Sequence, residues 1–196
     1  VQLGVDVQFV PQSDLQINQV KEKYEIKGEY IVMFGLSGYR KNVTGVISAF
    51  EKIQNKIPHT LVIIGKSDEI SLSNSSRVKI LDTVSSSDLV ALYSGSTCFV
   101  YPSYYEGFGL PILEAMAAGT LVITSKKGSL SEIIHESNSI IEDPHDEKEI
   151  EKRIIEMVEL LPKDRQKRIA QGIAHTSTFT WEKCAQETLS VYKEVL

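Results

Sequence analysis

Cysteine is nearly absent from this chain of 196 residues, with only Cys98 and Cys184, and tryptophan occurs once, at Trp181. Two cysteines, one inside the apolar run Cys98-Phe99-Val100 and one on a helical pattern, make neither a disulfide framework nor a thiolate metal site. Both are expected to be reduced, structural residues. The four histidines, His59, His135, His145 and His175, are scattered, without the His-Glu-x-x-His or Asp-x-Asp spacing that would gather a metal. Asp143, His145 and Asp146 do cluster around Pro144, where a turn followed by a helix start accounts for them. No apolar stretch approaches the ~18 residues that span a bilayer. The opening residues Val1-Gln2-Leu3-Gly4-Val5-Asp6 lack the basic and apolar regions of a signal peptide, so a cytoplasmic address is the expectation. Nor is there a long basic run. Lys and Arg number 21 against 26 Asp and Glu, a net charge of −5, which argues against nucleic acid as a partner. Any phosphate this chain binds must be held locally.

What is present is an alternation of short β-branched runs with longer segments of helical period, the pattern of a parallel sheet covered by helices. Strands are expected at 30–34, 61–64, 78–81, 98–101, 121–124 and 139–141. Their unbroken apolar character suits burial on both faces. Between the first two strands Val43, Val46, Ile47, Phe50 and Ile53 form one apolar stripe, with Asn42 as its N-cap. A short helix is expected over 86–93. Another runs from Leu110 to Ala118, with Pro111 in its first turn and Gly119 past its end. Ser129-Leu130-Ser131-Glu132 has the capping-box spacing. Beyond Asp143-Pro144 the pattern is purely helical, over 147–161, 164–175 and 180–196. With 42% apolar residues and no internal repeat, the chain reads as one α/β domain, a Rossmann-like parallel sheet of about six strands with helices on both faces, ordered 3-2-1-4-5-6.

Three turns could carry chemistry. Gly35-Leu36-Ser37-Gly38-Tyr39-Arg40-Lys41 lies where the first strand gives way to a helix, where ligands collect in doubly wound sheets and where two cations could meet a phosphate. Its glycines do not make the Gly-x-Gly-x-x-Gly fingerprint, which disfavours a nicotinamide dehydrogenase. Gly65-Lys66-Ser67 mimics the end of a P-loop, but Thr60 stands where that motif needs glycine. The richest segment is Glu106-Gly107-Phe108-Gly109-Leu110-Pro111-Ile112-Leu113-Glu114, in which two glycines bring backbone N–H groups to a helix mouth between two carboxylates. Carboxylates accept hydrogen bonds from hydroxyls. An anion site flanked by two hydroxyl acceptors describes a sugar nucleotide.

That last segment resembles the Glu-x7-Glu signature of the retaining glycosyltransferases of family 4, or group 1. The likeness extends to Arg40-Lys41-Asn42, to Leu92-Tyr93 through Pro102-Ser103, to Ser129-Leu130-Ser131-Glu132, Glu142-Asp143-Pro144 and Phe179-Thr180-Trp181, and to Gly4-Val5-Asp6 with Phe9 and Pro11. Leu3, where the family often has Asn, and Leu121, where it often has Pro, depart from the pattern away from the motif residues. The resemblance implies the GT-B fold, two Rossmann-like domains facing a cleft. This chain would be the C-terminal, donor-binding one, with 1–12 as interdomain segment, 180–196 as C-terminal helix and the N-terminal acceptor domain absent.

By the same resemblance Arg40 and Lys41 would meet the donor diphosphate, with Gly35 in their turn and Gly107, Phe108, Gly109 and Leu110 offering backbone to it. Glu106 would face the transferred sugar and Glu114 the ribose. Glu106, Arg40 and Lys41 are then the catalytic candidates, and no metal or other cofactor is required. The implied reaction is retaining transfer of a hexose from a nucleoside diphosphate sugar, GDP-mannose or a UDP-sugar, to a saccharide or glycolipid acceptor in polysaccharide synthesis. The isolated chain is expected to be inactive. Peripheral association of a full enzyme with the inner face of a membrane is compatible with that role. The alternative is a non-catalytic nucleotide-sugar-binding or protein-interaction module.

Overall fold

A computed structural model of the chain describes residues 1–35, 39–65 and 75–195. The Leu36–Gly38 part of the first turn and Lys66-Ser67 lie outside the described residues. Six strands, β1 Tyr30–Phe34, β2 Thr60–Ile64, β3 Val78–Leu81, β4 Phe99–Tyr101, β5 Val122–Ser125 and β6 Ser139–Ile141, form one sheet. Every pairing is parallel and the order is β3-β2-β1-β4-β5-β6, as expected from the sequence. The chain lays β2 and β3 to one side of β1, then crosses to β4 on the other. The switch point therefore falls between β1 and β4, where a crevice opens at the carboxyl ends of the strands.

Eight α-helices accompany the sheet among the described residues: α1 Asp14–Lys23, α2 Val43–Ile53, α3 Ser86–Ser94, α4 Leu110–Ala117, α5 Leu130–Ile133, α6 Glu147–Val158, α7 Pro162–Thr176 and α8 Trp181–Val195. Strand alternation divides the core into two layers. Tyr30 and Val32, Val62 and Ile64, Phe99 and Tyr101 face the helices α3 and α4, together with Phe9 and Phe179. Ile31 and Met33, Leu61 and Ile63, Cys98 and Val100 face α2 and α6. Both faces are dry, which is why these strands read as continuous apolar runs. Cys98 lies in the second layer, where burial pushes its thiol up to about 12.

The structure departs from sequence expectation at helix starts. Helix α1 carries little apolar signal, with only Val20 buried. Its start is nonetheless marked by a capping box, in which Gln16 N–H donates to Ser13 Oγ at 3.4 Å and Ser13 N–H to Gln16 Oε1 at 3.1 Å. The box expected at Ser129 does not form. Ser129 is itself helical, at φ −67° and ψ −14°, so its hydroxyl is turned away from the helix it would cap and donates to the Glu106 carbonyl at 2.7 Å. Asn42 does precede α2, but in the left-handed region, at φ 53° and ψ 41°, and makes no side-chain cap. An N-cap works from extended backbone, which aims the side chain at the first free N–H groups. Here the amide is aimed across the loops instead.

Candidate active site

Arg40 and Lys41 end a single 3₁₀ turn, Tyr39–Lys41, placed between β1 and α2. Glu106 follows β4. The strand order makes these two loops neighbours at the switch point. Arg40 and Glu106, 66 positions apart in sequence, are brought to an Nη2–Oε2 distance of 3.9 Å. The guanidinium is more than half exposed and the carboxylate nearly buried. At 3.9 Å, with only the carboxylate buried and the guanidinium largely in water, the contact is a loose one. An anion arriving at the edge therefore competes easily for Arg40.

Glu106 is held from behind. Its Oε1 accepts from Tyr101 Oη at 2.7 Å and from Ser103 Oγ at 3.0 Å, and its own carbonyl accepts from Ser129. Burial and this carboxylate both raise the Tyr101 phenol, which stays protonated as a donor. One oxygen is thus fixed by two donors, and Oε2 is left on the Arg40 side. Tyr101 and Ser103 were not legible as site residues: the first reads as strand core and the second as loop.

The Lys41 ammonium lies over the ring of Phe34, 4.9 Å from its centroid, and 5.6 Å from that of Tyr101. Burial lowers its proton affinity, Arg40 adds to that and Glu106 opposes it. Gly35, at φ +92°, sits beneath this side chain, and a Cβ there would come within 2.6 Å of Nζ. Only glycine leaves the ammonium that path.

On the other side of the crevice the loop after β4 turns into α4 through Gly109, at φ +103°. A Cβ at Gly109 would strike Leu130 and Ile133, while one at Gly107 would meet open space. Phe108 directs its ring inward against Phe179, at 6.5 Å. Glycine on either side of an anchored ring keeps this stretch of main chain close to the crevice. Leu110 opens α4 with no side chain capping it, but Pro111 brings no N–H and Ile112 N–H donates to the Gly109 carbonyl at 3.0 Å, so an anion at this end would be met through Leu110 and the glycine loop before it.

Glu114 lies one turn down α4, half-buried, and burial, with the charge of Asp6 beside it, pushes its carboxyl up to about 7. This is an acceptor held partly out of water at some energetic cost. The sign of that cost is testable. Since the carboxyl in the fold ionises above the ordinary value of 4.5, the ionised group destabilises the folded state: not below pH 4.5, and fully above about 7. Glu114→Gln is expected to raise stability at pH 8 by up to about 3 kcal/mol and to change nothing near pH 4.5, which paired thermal melts will read. A gain independent of pH would refute this reading.

A family model described as "Glycosyl transferases group 1" matches residues 16–175, most of the chain. This chain belongs to the group 1 glycosyl transferases. O-antigen chain mannosyltransferase B of Escherichia coli is 31% identical over 205 residues, covering 97% of this chain and 53% of that protein. The crystal structure of the C-terminal domain of a glycosyl transferase group 1 family protein (LpcC) from Francisella tularensis is 27% identical, with a TM-score of 0.76, covering 89% of this chain and 97% of that one. A glycosyltransferase from Rickettsia africae ESF-5 shares the fold at a TM-score of 0.84 and 20% identity, over 98% of this chain and 56% of its own. The chain spans about half the length of the mannosyltransferase it matches. What it superposes on is the C-terminal half of the GT-B architecture. Among the described residues no helix is long and apolar enough to cross a membrane.

Proposed function

We propose that this domain of a group 1 glycosyl transferase binds a nucleoside diphosphate sugar and serves hexosyl transfer with retention, mannose from GDP-mannose being the favoured donor. The observation that carries the reading is the meeting of Arg40, Lys41 and Glu106 at the switch point, with Glu114 one turn down the adjoining helix. Two cations beside the uncapped start of α4 suit a diphosphate. Carboxylates on either side suit hydroxyls: Glu106 for the transferred sugar, Glu114 for the ribose. The mannosyl preference rests on the relative named for that activity.

Chemically, cleavage of the anomeric C–O bond moves negative charge onto the leaving diphosphate. Arg40 and Lys41 are in place before the charge develops, so they lower the barrier without reorganising at that moment. In this scheme the protein's cations do what a divalent metal would otherwise do. Nucleotide affinity is accordingly expected to survive EDTA unchanged, and a loss on chelation that magnesium restores would overturn the metal-free scheme.

Calorimetry with GDP, UDP and ADP, free and as their sugars, tests the assignment. At pH 8, where its carboxyl is ionised, Glu114→Ala is expected to weaken every nucleoside diphosphate by about 1–3 kcal/mol, the worth of hydrogen bonds to a charged acceptor. Glu106→Ala is expected to leave free nucleotide affinity nearly intact and to weaken the intact sugar nucleotide. Equal losses for both ligands in Glu106→Ala, or unchanged nucleotide affinity in Glu114→Ala, would refute the corresponding role. Failure of the wild-type chain to bind any of these nucleotides would refute the donor-site reading itself.

A further inference from the structure

Beside the cations lies a feature that the donor site does not use. The rings of Tyr39, Tyr104 and His145 stack in one column, with centroids 4.8 Å apart and an angle of 24° for the first pair, then 4.3 Å and 23° for the second. The three come from three different loops, those following β1, β4 and β6. Tyr104 is locked at the centre. Its N–H donates to the Arg40 carbonyl at 2.9 Å and its hydroxyl to Asn42 Oδ1 at 2.8 Å, while Asn42 Nδ2 donates to the Pro144 carbonyl at 2.5 Å. Asn42 itself is 3% exposed. Yet the outermost ring, Tyr39, is 77% exposed.

A flat aromatic face left in water and backed by two further rings is a rigid surface with little entropy to lose on binding. Its place matters as much as its rigidity. Asn42 opens α2 and His145 just precedes α6, so the column stands on the α2/α6 side of the sheet. Glu114 stands on α4, in the opposite layer. Arg40 and Glu106 follow β1 and β4, the two central strands of the sheet. On the donor reading proposed above, a nucleotide directed toward Glu114 leaves Tyr39 on the far side of the reacting sugar.

We propose that Tyr39 is a stacking platform for a saccharide ring of the acceptor. A pyranose presents an apolar face of C–H bonds with hydroxyls at its rim. It can cover the ring of Tyr39 while its hydroxyls stay in water or reach Arg40. The inference rests on the donor reading for its direction along the crevice, but not for the platform itself.

Saturation-transfer NMR on residues 1–196 tests it, with α-mannotriose as the probe, with and without GDP. Saturating the aromatic protons is expected to mark the C–H protons of one pyranose face in the wild type. The effect should fall at least fivefold in Tyr39→Ala and persist in Tyr39→Phe, with GDP affinity within twofold in all three. No transfer in the wild type, or equal transfer in Tyr39→Ala, would overturn the platform. So would a parallel loss of GDP affinity in Tyr39→Ala, which would show that the ring only braces Arg40. Mannotriose marked through Tyr39 by a chain that binds no nucleotide would sink the donor reading and leave the platform standing.

Discussion

Residues 1–196 on their own are expected to bind a donor nucleotide and yet to transfer no sugar to a saccharide acceptor above slow donor hydrolysis. Binding should survive because Arg40, Lys41, Glu106 and Glu114 are all positioned by this domain's own sheet and helices, and the supports of Glu106, namely Tyr101, Ser103 and Ser129, lie within it too. Turnover is another matter. Holding two reactants in line in a water-poor cleft can account for about 7–11 kcal/mol of a barrier, and the chain spans about half of the mannosyltransferase it resembles. Transfer should appear when the N-terminal half of such a relative is fused to this domain. A radiolabelled-donor assay, run with and without that half, decides the matter. Robust transfer by residues 1–196 alone would refute the view that these residues make one side of a two-sided site.

The second large effect is expected at Lys41. In an active fused enzyme, Lys41→Ala should lower kcat by roughly 10²–10³, equivalent to about 2.7–4 kcal/mol, the range found when one preorganised donor to a developing negative charge is removed. The structure favours so large a value because the ammonium is not free to wander: it is partly desolvated between the rings of Phe34 and Tyr101, with Gly35 beneath. Charges in such surroundings act more strongly than in water. Ground-state nucleotide affinity should fall far less than turnover, because the charge that Lys41 opposes grows as the bond breaks. A variant that loses nucleotide affinity and kcat/KM equally would make Lys41 a binding residue only.

How much of this was legible without coordinates follows a physical line. Strands such as Tyr30–Phe34 and Val78–Leu81, and the α4 start at Leu110-Pro111, were fixed by residues a few positions apart, through side-chain periodicity and turn chemistry. Helix α1 escaped because its signal lay in a two-residue cap, Ser13 with Gln16, and not in an apolar stripe. The motif residues were legible as types, two cations and two carboxylates. Their meeting was not, since nothing local to Arg40 indicates Glu106.

By itself, then, the sequence determined the elements, the burial of both sheet faces and the residue types at the loops. Only the tertiary structure decided what those loops do to one another. It turned Asn42 from an expected cap into a tie to Tyr104 and Pro144, 62 and 102 positions away. It likewise turned Ser129 from an expected cap into a support for Glu106, 23 positions back. The reason is that short polar side chains bond whatever unpaired group lies within about 3 Å. Near a helix start that is a neighbouring N–H only if the backbone is extended there. At the carboxyl edge of this sheet, strand order packs four loops together, and groups remote in sequence take the neighbour's place.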